Sequence, residues 1–296
     1  AAGSMSKLIG KVMKAVPGFR PAGSGRFFYP RHGFGRISDA FADAARERGA
    51  DMRLETSVSG LVRRSDGGWT VRARRGDRDE SIDVDHVWST LPVTLVARML
   101  EPRAPESVIA ATSRIDYRAM VLIYLDLPVE RFTEYDAHYF PGADLAITRL
   151  SEPSNYGLVR HPEGRTALCA ELPCNRGDRY WEMSDADLGR LMADDLARAG
   201  LPLPCAPVDV TVARLPQAYP VYLTGYEEFL DVVQSHVDAL PDFLSFGRQG
   251  LFAHDNTHHA LYMAYSAVDC LRTDGTFDAA KWSRYREEFT RHVVED

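Results

Sequence analysis

The segment richest in chemistry runs over residues 245–259, SFGRQGLFAHDNTHH. An apolar lead, a Gly247-Arg248 turn and a polar cluster that opens a helix together make an anion site. Free backbone N–H groups and the positive end of the helix dipole converge there. Arg248 adds a permanent cation with a planar fork of donors, and Asn256 or Thr257 has the side chain to cap the helix. The same residues also read as an ordinary helix cap beside a structural arginine. His254 and His258 stand four apart with Asp255 beside them, a spacing that metal ligands use. No third ligand follows at a fixed spacing, so the sequence assigns no metal.

A second cluster is Gly33-Phe34-Gly35-Arg36-Ile37-Ser38, close to GxGxxG, with Glu55 placed where a ribose-binding acid would sit. Ser38 occupies the sixth position. Pro30, Arg31 and His32 precede the turn, where a buried parallel strand is apolar. The competing reading is a glycine turn that delivers a helix and lets backbone approach a ligand. A third candidate is residues 216–222, PQAYPVY: two prolines confine a strand to an edge or crossover, which frees Tyr219 and Tyr222 to line a cavity or to pack in the core. Neither a GxSxG elbow nor a P-loop is present. Asp185, Asp187, Asp194 and Asp195 read as the solvated face of one helix.

These residues need elements to hold them. The first 25 residues are loop-like, with a short basic amphipathic helix carrying Leu8, Ile9, Val12 and Val16. Residues 36–48 form an amphipathic helix with Ile37, Phe41, Ala44 and Ala45 on one face, and Gly49 ends it. Strands follow over 52–64 and 69–74, joined by an SDGG hairpin turn. One more strand region covers 81–91, then a short helix over 93–100. Residues 115–127 are strongly strand-like. Residues 128–180 are loop-rich, with short strands at 145–150 and 166–172. A helix runs from Ser184 to Ala199 with Leu188, Leu191, Met192 and Leu196 inward, and a strand follows over 208–215. Helices are expected over 227–240, over 256–271 as a buried one, and over 277–294 as a charged one.

The 296 residues are 45% hydrophobic and 26% charged, with a net charge of −7. That excludes long disorder and gives no overall pull toward nucleic acid or anionic membrane. No apolar run is long enough for a membrane span. The four cysteines form no CxxC pair and read as buried thiols of a cytoplasmic protein.

Taken in order, four blocks carry a resemblance: residues 27–64, residues 85–100, RLPQAYPVY at 214–222 and LSFGRQGLFAHDNTHHALYMAYSAVD at 244–269. The chain resembles the flavin-dependent amine oxidase/protoporphyrinogen oxidase superfamily, and its last block is similar to the flavin-binding close of UDP-galactopyranose mutases. The resemblance implies an α+β / α/β fold. It comprises the remainder of an FAD-binding Rossmann-like domain (residues 26–104 and 226–296) and a substrate domain with a mixed or antiparallel sheet and helices (105–225), after a lead segment (1–25).

It implies FAD as cofactor. Gly33 and Gly35 would lie in the flavin domain, and Val58 would contact the adenine end through its backbone. Gly247 and Arg248 would border the pyrophosphate. Asn256, Thr257 and His258 would cap a helix aimed at the flavin. Tyr219 and Tyr222 would approach the ring and the substrate. Tyr222 and His258 are the catalytic candidates. The family's opening strand–GxGxxG–helix unit has no counterpart in these 296 residues, and His254 and His258 replace other residue types. The expectation is therefore a part of an FAD-dependent oxidoreductase acting on a small molecule, with the nucleotide-binding unit carried by an N-terminal segment or partner chain. The alternatives are a UDP-galactopyranose mutase-like enzyme using Arg149, Arg160 and Arg248, and a non-catalytic assembly subunit.

Overall fold

The computed structural model describes residues 28–156 and 162–294. The expected basic helix near the N-terminus and Arg160 lie outside them. Helix α1 (Arg36–Glu47) comes first. Gly49, with φ +90°, ends it in a Schellman arrangement: Ala50 N–H bonds Ala45 O and Gly49 N–H bonds Arg46 O. The spacing predicts an inward apolar face, yet no residue of α1 is buried and Phe41 is 47% exposed. Ile37, Ala44 and Ala45 are half-buried, so among the described residues that face is only partly covered.

Strands β1 (Thr56–Arg63), β2 (Trp69–Arg75) and β3 (Arg78–Val84) form an antiparallel meander. Gly68 closes the first hairpin at φ +70°, where a Cβ would lie 2.4 Å from Val84 O. Trp69 and Ala73 point into the core while Arg72 and Arg74 point out, the alternation a half-buried strand requires. The single strand expected over 81–91 is two: β3 ends at Val84, and β4 (Val87–Ser89) belongs to another sheet. Helix α2 (Val93–Met99) leads to β5 (Leu100–Glu101), which joins β1 in parallel to give the order β3-β2-β1-β5. Helix α3 (Glu106–Thr112) was not expected; its buried side chains Val108 and Ala111 pack with α2.

The second sheet holds β6 (Asp116–Leu127), β7 (Ala137–Tyr139), β8 (Arg149–Ser151), β9 (Thr166–Cys174) and β10 (Asp209–Val221) in the order β10-β6-β9-β8-β7, all antiparallel. β10 is an edge strand, as its two prolines demand, and bulges between Leu215 and Tyr219. After the short helix α4 (Arg179–Glu182), helix α5 (Asp185–Arg198) covers one face. Its Leu188, Met192 and Leu196 meet Val121, Ile123 and Leu125, all fully buried. One expectation fails here. Asp195 is 0% exposed and not part of a solvated face. Its carboxylate accepts from Ala146 N (2.7 Å) and Ile147 N (3.1 Å) and pairs with Arg198. A carboxylate survives burial because two backbone donors and a cation replace its water.

Helix α6 (Tyr226–Asp238) packs Val233 and Val237 on α2 and α3. Strand β11 (Phe243–Ser245) then pairs in parallel with β4. The short helix α7 (Gly247–Gly250), helix α8 (Thr257–Cys270) and helix α9 (Ala279–Phe289) complete the chain. α8 is not wholly buried, as its few charges suggested. Met263 and Ala267 face inward, while Tyr265 and Val268 are exposed. The architecture is the mixed α/β arrangement expected, with one mixed sheet, one antiparallel sheet and a parallel pair. Among the described residues no helix is long and apolar enough to cross a membrane.

Candidate functional site

The parallel pair β4–β11 is the platform. Phe243, Leu244 and Ser245 are buried beside Val87, Trp88 and Ser89, and Phe246 N–H continues the ladder to Ser89 O at 3.0 Å. Both strands then release turns at the same end. One is Thr90 to Pro92 before α2, and the other is Gly247. Gly247 adopts φ +79°, a backbone that side chains rarely take. At Gly250 space is the constraint, since a Cβ would stand 2.9 Å from Ser245 Oγ and 3.3 Å from Ser89 O. Ser245 Oγ–H donates to Gly250 O at 2.9 Å and fixes α7 against its strand.

α7 presents Arg248 and Gln249 toward β10. The Arg248 guanidinium lies 4.4 Å from the centre of the Tyr219 ring, a cation–π contact. Its Nε is buried and has no hydrogen-bond partner among the described residues. Gln249 Nε2 donates to Gln217 O at 2.7 Å, a carbonyl that the β10 bulge releases from the ladder. The Tyr219 ring meets the His254 ring edge-to-face at 5.1 Å. The Tyr222 hydroxyl donates to Phe252 O (3.2 Å) and accepts from His254 N–H (2.9 Å). Burial pushes this hydroxyl above its ordinary pKa, against the pull of the His254 N–H. With both bonds committed to backbone, it holds the 252–254 segment in place. Tyr222 also lines a cavity of about 330 Å³ with Tyr226, Phe252 and His254.

Asn256 caps α8 in a reciprocal box: its side chain accepts from His259 N–H, and Asn256 N–H donates to His259 Nδ1 at 3.2 Å. Thr257 and His258 are exposed on the first turn, and the His258 ring stands 4.0 Å from that of His259. Burial holds His259 below its ordinary pKa, against the attraction of Asp255.

Seven of the sequence candidates therefore cluster around one end of the β4–β11 pair or follow directly from it: Gly247, Arg248, Tyr219, Tyr222, Asn256, Thr257 and His258. The others stand apart. The turn at Gly33 and Gly35 is held by local bonds (Gly33 N–H to Pro30 O, Arg36 N–H to Gly33 O). A Cβ at either glycine would meet nothing within 4 Å, so no close approach of backbone requires them. No described strand precedes that turn, and Glu55 opens a strand of an antiparallel meander at φ +56°. Val58 packs against the first core and pairs with Ala73. Sequence reading missed Thr90, Ser245 and Gln249, whose roles arise from the juxtaposition of distant strands. His254 and His258 do not form a ligand group. The group that converges is Asp255, His259 and His292.

The site is a cation over an aromatic face, an unsatisfied buried donor, a left-handed glycine turn and a capped helix start. Such a wall has the chemistry to receive a planar or anionic group.

Comparison with known proteins supplies the frame. The family model for flavin containing amine oxidoreductases matches residues 17–266. Protoporphyrinogen oxidase 1, chloroplastic, of Arabidopsis thaliana is 24% identical over 220 residues, covering 70% of this chain and 40% of the relative. Among solved structures, a reduced UDP-galactopyranose mutase superposes with a TM-score of 0.70 at 19% identity, over 90% of this chain and 57% of that one. A putative protoporphyrinogen oxidase from Exiguobacterium sp. 255-15 gives 0.57 at 20% identity, over 78% and 49%. The chain thus spans less than two thirds of these relatives' length, and the structural likenesses establish the fold. With a family model matched over most of its length and a glycine–arginine turn set beside an aromatic strand edge, this chain belongs to the flavin-containing amine oxidoreductase family.

Proposed function

We propose that the chain forms the substrate-side and C-terminal part of an FAD-dependent oxidoreductase of the amine-oxidase type. The observation that carries this reading is Arg248: a guanidinium on the Tyr219 ring with a buried Nε that lacks an acceptor, next to the left-handed turn of Gly247. These residues fit a flavin nucleotide, because an unsatisfied buried donor costs free energy that an anionic group relieves. A bound flavin would supply the two-electron chemistry, accepting hydride from a substrate C–H bond.

The chain's own residues would do the rest. Gly247 and Arg248 would hold the cofactor's phosphate region, with Asn256 capping α8, and the first turn of α8 from Thr257 would add backbone N–H groups. Tyr219 would present its ring edge, and Phe252 and Tyr226 line the neighbouring cavity. His258, exposed on the first turn of α8, suits proton exchange with solvent better than Tyr222, whose hydroxyl is committed to backbone. The ADP end of such a cofactor calls for a GxGxxG unit, which in this reading comes from a further segment or a partner chain.

The test is reconstitution. The chain co-expressed with a segment carrying a GxGxxG unit is expected to give a yellow protein whose flavin spectrum bleaches anaerobically with an amine substrate. Arg248→Ala is expected to weaken flavin binding roughly 10-fold or more, read by fluorescence quenching, because one charge-assisted contact is lost. A pair that stays colourless with added FAD would sink the proposal.

A further inference from the structure

Beside the start of α8 lies a polar group that the flavin reading does not use. Asp255, His259 and His292 each offer one ligand atom, and these atoms all lie within 4.8 Å of one another. His292 Nδ1 is 3.1 Å from Asp255 Oδ2, and His259 Nδ1 is 3.4 Å from Asp255 Oδ1. The two imidazoles stack with centroids 4.3 Å apart and planes 12° apart. They come from separate elements, since His259 sits in the first turn of α8 and His292 follows α9.

Within this group Asp255 Oδ2 accepts one hydrogen bond, from His292 Nδ1–H at 3.1 Å. Asp255 is 5% exposed, and among the described residues its ion pairs are with these two imidazoles alone. Arg286 lines the adjoining cavity, but its guanidinium goes to Asp238 at 3.3 Å. A buried carboxylate needs a positive partner. The His259 contact does not supply one as a hydrogen bond. Nδ1 of His259 accepts from Asn256 N–H, so it carries a lone pair and no proton. The lone pair of His259 Nδ1 is thus taken by Asn256 N–H, and an ion held through that atom would displace this hydrogen bond, while Asp255 Oδ1, 3.4 Å away, receives no donor from His259.

We propose that Asp255, His259 and His292 bind a divalent first-row transition ion of the zinc class. Zinc bonds nitrogen and carboxylate oxygen at about 2.0–2.2 Å in a tetrahedral shell, which sets neighbouring donors roughly 3.3–3.6 Å apart. The two donor separations from the carboxylate are close to that range. A donor set of two imidazoles and one carboxylate suits zinc, cobalt or iron(II) and does not suit calcium or magnesium, which take oxygen ligands. The cavity of about 330 Å³ borders Asp255 and His292 and gives water access to the remaining position. The ion would tie the end of the chain beyond α9 to the start of α8, and would neutralise Asp255. The site stands independently of whether the chain binds a flavin.

The experiment uses the full chain, stripped with chelator and titrated with Zn2+ by calorimetry and with Co2+ by visible absorption. One ion per chain is expected, with a thermal midpoint that rises with free Zn2+. Asp255→Asn and His292→Ala are each expected to weaken binding by roughly 100-fold, since each removes one of three protein ligands. His138→Ala, on β7 of the antiparallel sheet, is expected to leave it unchanged. His292 lies beyond the last helix, so its variant should fold, and circular dichroism checks that. Failure of the stripped chain to take up one Co2+ or Zn2+ saturably would overturn the site. So would binding that survives both Asp255→Asn and His292→Ala.

Discussion

At the scale of single residues, burial separates side chains that look alike in sequence. Asp194 and Asp195 are adjacent acids on one helix, yet Asp195 is sealed against Ala146 and Ile147. Asp195→Ala strands two backbone donors and takes from Arg198 its carboxylate, leaving that guanidinium bonded to Asp144 O at 2.8 Å. The expected cost is about 2–4 kcal/mol in urea unfolding, against under about 0.5 kcal/mol for Asp194→Ala; equal costs would contradict the assignment. Tyr222 poses a similar question, because it stands beside the proposed flavin site. If its hydroxyl holds the 252–254 backbone, Tyr222→Phe loses two hydrogen bonds and about 1–2 kcal/mol of stability. Full stability together with a collapsed turnover would assign it to the chemistry instead.

At the scale of elements, caps and turns decide where helices begin. Asp278 caps α9, accepting from Lys281 N–H at 2.9 Å, with the Arg272 guanidinium at 3.0 Å. The Lys281 N–H bond foremost, then Arg272, holds its carboxyl below the usual range against desolvation. A carboxyl whose folded pKa is depressed stabilises the fold above its unfolded value, and that contribution is lost as pH falls through the folded one. The melting-temperature gap between the native chain and Asp278→Ala is therefore expected to be open at neutral pH and to close as pH falls below the ordinary carboxylate range of about 4. A gap that persists in acid would point to a packing role. The same cap geometry explains why the charged helix expected over 277–294 is shorter: it starts only after Asp278 and ends at Phe289.

At the scale of the whole molecule, the two large cores differ from the segment around α1. Met192→Ala, in the fully buried layer between α5 and the antiparallel sheet, is expected to cost about 2–5 kcal/mol. Phe41→Ser, at an exposed position of α1, is expected to change stability by less than about 0.5 kcal/mol. A large loss at Phe41, measured by the same unfolding assay, would show that α1 is packed in solution.

The sequence by itself determined the local pieces. Trp69 and Ala73 alternate with Arg72 and Arg74, so β2 was legible from a period of two. Leu188, Met192 and Leu196 mark α5 at helical spacing, and Gly49 marks the end of α1. The order of the FFYPRHGFG, STLP, QAYPVY and GRQGLF segments carried the family. What it could not carry were relations between distant residues. The break at Asp85 and His86 divides one apolar run between two sheets because Val87 pairs with Phe243, far along the chain. Likewise, Arg248 meets Tyr219 only because β10 bulges and releases Gln217 O to Gln249. The burial of Asp195 and the meeting of Asp255, His259 and His292 are also tertiary outcomes. Periodicity reports which face of an element is apolar; the packing of other elements decides which polar groups on it lose their water and what partner replaces it.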